Sequence, residues 1–367
     1  MLYWARRFAP GFAVRGTGKG SAMRIEEFLR EVTALPGLTG SEGPAAEYVA
    51  AAFRPLADEV KIDRLNNVVA RLKGDGPKVL FAAHIDEIGL MVVKIEEDGA
   101  LRMGNVGGVD PRILPGLRVR VWGKETLLGV IGAKAPHLLT EEERKENYKR
   151  EDLYIDLGMS AQRVRELVQV GDLVTLEARF TALKNGRYAT KTADDRACVA
   201  IMYRAMQLLQ GMKHTADLYF VGTCQEEIGC YGAQMTGHSV DPDFAVALDV
   251  CHAKTPGAPD GRTHDLGSPV ASMGPYIQPV LRRKLMETAK EQNIDVQTSV
   301  VPRNTSTDAD GLNIQRGGIP TVLLELPLKY MHTTVETLDM RTLEETARLL
   351  AHFACKVDAA WEEELWT

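Results

Sequence analysis

Val79-Leu80-Phe81-Ala82-Ala83-His84-Ile85-Asp86-Glu87 is an apolar run that ends in a histidine and two acids. A short, continuous apolar run bounded by polar residues reads as a strand buried on both faces, and open α/β sheets hold their ligands just beyond the carboxyl ends of such strands. The same order recurs downstream. Asp217-Leu218-Tyr219-Phe220-Val221 leads into Gln225-Glu226-Glu227-Ile228-Gly229, and Phe244-Ala245-Val246-Ala247-Leu248 leads into Asp249-Val250. Thr321-Val322-Leu323-Leu324-Glu325-Leu326 precedes Tyr330-Met331-His332-Thr333, and Thr192-Ala193-Asp194-Asp195-Arg196 opens a mostly apolar helical segment running from Cys198 to Leu209.

Around these motifs, apolar strands alternate with helical patterns over residues 23–89 and again over residues 182–367, which predicts an α/β domain with its sheet covered by helices. The middle differs. Leu117-Arg118-Val119-Arg120-Val121-Trp122 and Leu173-Val174-Thr175-Leu176-Glu177-Ala178-Arg179-Phe180 alternate with period two, and turn signals at Glu97-Asp98-Gly99 and Trp122-Gly123-Lys124 separate such runs. Residues 90–181 therefore read as a small β-rich domain inserted into the α/β one. Thr140 to Asp152, dense in Glu, Lys and Arg, reads as a solvated loop or exposed helix. Residues 1–22 contain Arg and Gly but no acid, and no apolar stretch suited to a secretory signal, so they read as a disordered tail or an over-extended start.

Composition narrows the function. A chain of 367 residues with 45% hydrophobic content and a formal charge of −6 carries no electrostatic footprint for nucleic acid. No run of about 18 apolar residues is present to span a bilayer. The five cysteines are odd in number and lack zinc-ribbon or disulfide spacing. These features predict a cytoplasmic protein with free thiols, acting on small molecules or peptides.

The motifs supply metal-binding chemistry. Histidine nitrogens and carboxylate oxygens suit zinc and its neighbours, and a pair of ions about 3.5–4 Å apart needs a shared carboxylate with further ligands on each side. His84 and Asp86, two apart on a strand, project to the same side, so the acid can orient the imidazole. For Asp194 and Asp195 helix capping explains one acid, whereas a bridging carboxylate with an orienting neighbour explains both. Glu226 and Glu227 diverge as neighbours, so one can ligate while the other holds a water. A deacylase or carboxypeptidase could use the same set, whereas a metal-free glycoside hydrolase would need two carboxyls and would leave His84 and His332 without a role.

These motifs, together with Gly129-Val-Ile-Gly-Ala-Lys-Ala-Pro-His and Asp152-Leu-Tyr-Ile-Asp-Leu-Gly, resemble those of the M42 family of metalloaminopeptidases from about Met23 to the C-terminus. The resemblance implies a zinc exopeptidase-like mixed sheet sandwiched by helices, with an inserted barrel-like dimerisation domain. It implies two divalent ions per subunit, zinc or cobalt, with Asp194 bridging, His84 and Asp249 completing one site, and Glu227 and His332 the other. Glu226 would be the general base and Asp86 the partner of His84, and the Asp194-Asp195 peptide is expected to be cis. The implied activity is removal of N-terminal residues from short peptides by a self-associating enzyme, a dimer or a tetrahedral dodecamer. Cys251 stands where the family pattern leads one to expect threonine.

Overall fold

The computed structural model describes residues 23–259 and 261–365, so the expectation for residues 1–22 lies outside the described residues. Helices α1 (Ile25–Ala34) and α2 (Gly43–Phe53) precede strands β1 (Glu59–Ile62), β2 (Val68–Leu72) and β3 (Lys78–His84). α1 buries Ile25, Phe28, Leu29 and Val32, the spacing of one helical face. A group of strands follows: β4 (Gly89–Ile95), β5 (Leu101–Val106), β6 (Arg118–Trp122), β7 (Thr126–Ala133), β8 (Leu153–Asp156) and, after helix α3 (Ala161–Leu167), β9 (Leu173–Leu176). The chain then forms β10 (Thr181–Ala182), β11 (Arg187–Thr190), α4 (Ala193–Leu209), β12 (Asp217–Thr223), α5 (Tyr231–Val240), β13 (Phe244–His252) and β14 (Val270–Met273). It ends with α6 (Pro279–Glu291), β15 (Gln297–Val300), α7 (Asp308–Asn313), β16 (Thr321–Leu328), β17 (Glu336–Asp339), α8 (Met340–Lys356) and α9 (Ala359–Leu365).

The main sheet runs in the order β1-β2-β12-β3-β13-β16-β14-β15. Its centre, β12-β3-β13-β16, is parallel, while β2 joins β12 and β14 joins β16 antiparallel. The central strands are covered on both faces, which is why Val79 to His84 are all buried and the sequence there is continuously apolar. α4 packs on β3 and β13 with α1 and α8 beside it, and α5 packs with α7, leaving the mixed sheet sandwiched by helices. One difference from the sequence expectation matters for the site. β13 does not stop at Leu248 but stays paired with β16 as far as His252 opposite Leu328, so Asp249 lies inside the strand.

β4 to β9 close into a barrel in the order β4-β5-β8-β7-β6-β9. Its interior is a second core, built from residues such as Leu90, Val92, Val119, Val121, Ile131, Ile155 and Val174. β6 and β7 alternate exposed and buried residues, as period two requires of strands with one solvated face. The closing seam is β4 against β9, with Leu90 opposite Val174, and these are the strands by which the chain enters and leaves the barrel. The charged stretch from Thr140 to Asp152 carries two short 3₁₀ turns, Glu143–Lys145 and Arg150–Asp152, on an exposed surface.

Candidate metal centre

The strand ends bring the motifs together. His84 closes β3 in register with Thr223 at the end of β12, and from there the chain turns through Gln225, at φ 56°, to present Glu226 and Glu227. α5 starts close behind this turn. A Cβ on Gly232 would stand 2.3 Å from the Cys224 carbonyl oxygen and 2.4 Å from Asn67 Oδ1, so glycine is required there. Asn67 Oδ1 in turn accepts the Cys224 N–H at 2.9 Å.

The Asp194-Asp195 peptide is cis, and both residues depart from helical geometry within the span of α4. Neither carboxylate accepts a bond from a first-turn N–H. Asp195 Oδ2 instead accepts the His84 N–H at 3.3 Å, which answers the alternative of simple helix capping.

Asp194 stands between the two histidines. Its Oδ1 is 3.1 Å from His84 Nε2 and its Oδ2 is 3.2 Å from His332 Nε2. Glu227 Oε1 lies 3.4 Å from the same His332 nitrogen, and Glu226 Oε2 lies 3.9 Å from His84 Nε2. Two groups could each hold a cation, one of His84, Asp195 and Asp249, the other of His84, Asp194 and Glu227. All the sequence-predicted ligands thus converge, with Asp195 added to them.

Asp86 ties the motifs to one another. Its Oδ2 accepts the Thr39 hydroxyl at 2.7 Å and the Glu227 N–H at 3.2 Å, and its Oδ1 accepts the Glu226 N–H at 3.1 Å. His84 Nδ1 faces Asp86 Oδ1 at 3.5 Å, too long for a well-formed hydrogen bond.

Other supports carry little signal in the sequence. Glu336 is buried and accepts the Asp194 N–H at 3.2 Å and the His332 N–H at 2.9 Å. Its only sequence signal is an acid four residues after His332. Glu87 accepts the Gly37 N–H at 2.9 Å and pairs with the buried Lys191. Arg196 is fully buried and donates to the carbonyls of Ile85, Val32 and Leu35 at 2.7–2.8 Å, fastening the segment after His84 to α1. From the barrel, the Gly108 carbonyl accepts a bond from His332 Nδ1 at 3.1 Å.

The electrostatics are those of a cation site. Burial raises the Asp195 and Asp249 carboxyls well above the usual range, and neighbouring acids add to it. Burial likewise lifts Glu226 to about 8 against the opposing pull of His84. For His332 burial acts downward, but the bonds from Asp194 and Glu227 outweigh it and raise the imidazole to about 11. In both histidines each ring nitrogen faces an oxygen acceptor, an arrangement satisfied by extra protons or by cations between Nε2 and the carboxylates. With the buried Asp195 Oδ1 also lacking a partner, the donor set fits hard or borderline divalent ions. Ile88, Leu176, Lys191, Asp194, Glu227, His332 and Glu336 line a small cavity beside the cluster, between the barrel and the sheet domain.

Residues 66–349 match the family model for M42 glutamyl aminopeptidases. The chain is 38% identical over 329 residues to the lysyl aminopeptidase of Pyrococcus furiosus, covering 88% of this chain and 94% of that one. Among solved structures, the TET aminopeptidase from a marine sediment thaumarchaeon superposes with a TM-score of 0.89 at 31% identity, covering 93% of this chain and 98% of that chain. The Pyrococcus horikoshii TET1 peptidase, described as assembling into a tetrahedron or a large octahedral shell, gives 0.79 at 32% identity over 91% of this chain and all of that one (100%).

Proposed function

The chain belongs to the M42 family of aminopeptidases, and on that premise we propose that it removes N-terminal residues from short peptides at a centre of two divalent metal ions. The observation that carries this reading is the Asp194 carboxylate, with one oxygen turned to each histidine. His84 and Asp249 would complete one site, with Asp195 beside them, and Glu227 and His332 the other. Zinc or cobalt suits these nitrogen and oxygen donors. When bound, such ions polarise a scissile carbonyl and make a water more acidic.

The rest of the chemistry falls to the chain itself. Glu226, just outside both ligand groups, accepts a proton from the attacking water at its carboxylate and returns it to the departing amine. Asp86 orients His84 and, by holding the N–H groups of Glu226 and Glu227, fixes where both carboxylates point. The Gly108 carbonyl accepts a hydrogen bond from the Nδ1–H of His332, which keeps the proton on Nδ1 and leaves Nε2 facing Asp194.

The barrel, about residues 90–181, is proposed to mediate dimerisation and, through dimers, a larger closed shell. Its outward residues include Val93, Leu128 and Val130, at 51%, 56% and 47% exposure, which offer apolar surface to a second copy. Cytoplasmic residence is proposed from the cysteines, all free. Among the described residues no helix is long and apolar enough to cross a membrane.

The test is hydrolysis of aminoacyl chromogenic amides by metal-loaded protein, with acetylated and C-terminally amidated peptides as comparisons. Cleavage that needs a free α-amine, tolerates a C-terminal amide and disappears with a chelator is the expected result. Cleavage of acetylated substrates, or a requirement for a free carboxylate, would favour the deacylase or carboxypeptidase alternative, and full activity after chelation would exclude metal chemistry.

A further inference from the structure

Buried carboxylates in this molecule generally have a cation or a crowd of N–H donors. Asp217 is clasped by Arg71, Glu87 by Lys191, Asp194 by two histidines, and Glu336 by two backbone N–H groups. Glu325 differs. It is 8% exposed, and no lysine, arginine or histidine nitrogen among the described residues lies within 4.0 Å of it. Its Oε2 accepts the Ser272 hydroxyl, while Oε1 accepts no hydrogen bond and still meets solvent. Burial raises this carboxyl to about 7, with only the Ser272 hydroxyl acting against it.

Its position gives the isolation a meaning. β16 lies between β13 and β14, and Glu325 is in register with Asp249 on one side and Val270 on the other. Register partners share a face of the sheet, as do residues two apart, so Asp249, Cys251, Glu325 and Ser272 project to the same side. One end of that row is a proposed metal ligand. The next strand over, about 4.8 Å away, carries the unpaired acid.

We infer that Glu325 and Ser272 form the floor of a subsite that takes a cationic side chain, lysine or arginine, of the substrate's N-terminal residue. This rests on the aminopeptidase reading above, which puts the α-amine and the scissile carbonyl at the metal cluster. From there a lysine side chain reaches about 6 Å through its extended bonds, comparable to the step from Asp249 across to β16. A cation arriving beside Oε1 completes the partner that the fold leaves out. A neutral side chain leaves the acid buried and unpaired, and an acidic one meets repulsion.

The experiment compares kcat/KM of the metal-loaded full chain on lysyl, norleucyl and glutamyl p-nitroanilides, since norleucine has the lysine chain without its ammonium. Lysine is expected to exceed norleucine by about tenfold or more, with glutamate slowest. In Glu325→Gln the lysine-to-norleucine ratio should fall by about tenfold, mainly through KM for the lysyl substrate, and Glu325→Asp should give an intermediate ratio. A wild-type ratio of one or less overturns the inference whether or not the variants fold, and so does an unchanged ratio in a folded Glu325→Gln enzyme. Cleavage of norleucyl substrate without lysine preference sinks this inference alone. Failure on every free-amine substrate sinks the aminopeptidase reading itself.

Discussion

His84 and His332 approach the same Asp194 carboxylate from two sides, yet the first side chain is 2% exposed and the second 32%. His84 belongs to the sheet. It ends a buried strand, is faced by Asp86 from the same segment, and has the buried Asp195 and Asp249 for neighbours. His332 stands on the loop after β16 with φ at 62°, and its Nδ1 donates to the Gly108 carbonyl of the barrel. One half of the centre is therefore set by a single folded unit, whereas the other is assembled between two. Rigidity of the first and accessibility of the second suit a site that must hold ions firmly while admitting substrate.

The largest expected effect comes from Glu226, the residue proposed to serve both halves without ligating either. Glu226→Gln should retain metal in both halves and lose about 10²–10⁴-fold in kcat, because an amide cannot accept the water's proton. Near-normal turnover with full metal content would remove Glu226 from that role. Next in size are the ligand variants, read by elemental analysis of the purified protein. Asp194→Ala should lower bound metal in both halves and reduce thermal stability, whereas His332→Ala should deplete only the open half. Two equivalents retained in Asp194→Ala would contradict bridging, and equal losses in the two variants would erase the distinction between the halves.

The smallest effect sharpens the picture of the buried side. Glu42, near Asp86, is raised to about 7 by burial first and by the Asp86 charge second. A carboxyl with a raised folded pKa destabilises the fold as pH climbs from about 4.5 to 7, since the folded state holds its proton longer than the unfolded chain does. Glu42→Gln removes that term. Its melting temperature relative to wild type should therefore rise by about 1–3 °C between pH 5 and pH 8. A constant difference across that range would show that Glu42 does not couple to folding.

Much of this was readable from the chain because the parallel strands are buried on both faces and so write themselves as apolar runs, with His84 and the Glu226-Glu227 pair at their ends. The barrel announced itself through period-two alternation, as in β6 and β7. What sequence could not show depends on contact across space. Glu336 acts through bonds to Asp194 and His332, Lys191 through Glu87, and Gly108 through a backbone carbonyl that any residue possesses. The apolar run stops at Leu248 and so reads as a strand end before Asp249, but pairing with β16 keeps the backbone extended to His252. Glu325 sat unremarked inside a strand pattern, since one acid in an apolar run says nothing of whether a cation faces it.

The seam where β4 meets β9 has a mechanical consequence. Both connections between barrel and sheet domain run side by side there, and Ile88 and Leu176, one on each, line the cavity beside the cluster. The barrel thus hangs from a doubled stem rather than a single cord, and a load applied to it is shared by two backbones paired by hydrogen bonds. Strain imposed on the barrel, as by the dimer partner proposed above, would reach the His84 to Glu87 segment as shear along that stem, with the mouth of the cavity first in its path. New chain termini cut into the exposed charged stretch between Thr140 and Glu146 leave the stem whole, whereas a cut at residue 88 or 176 turns it into a swivel.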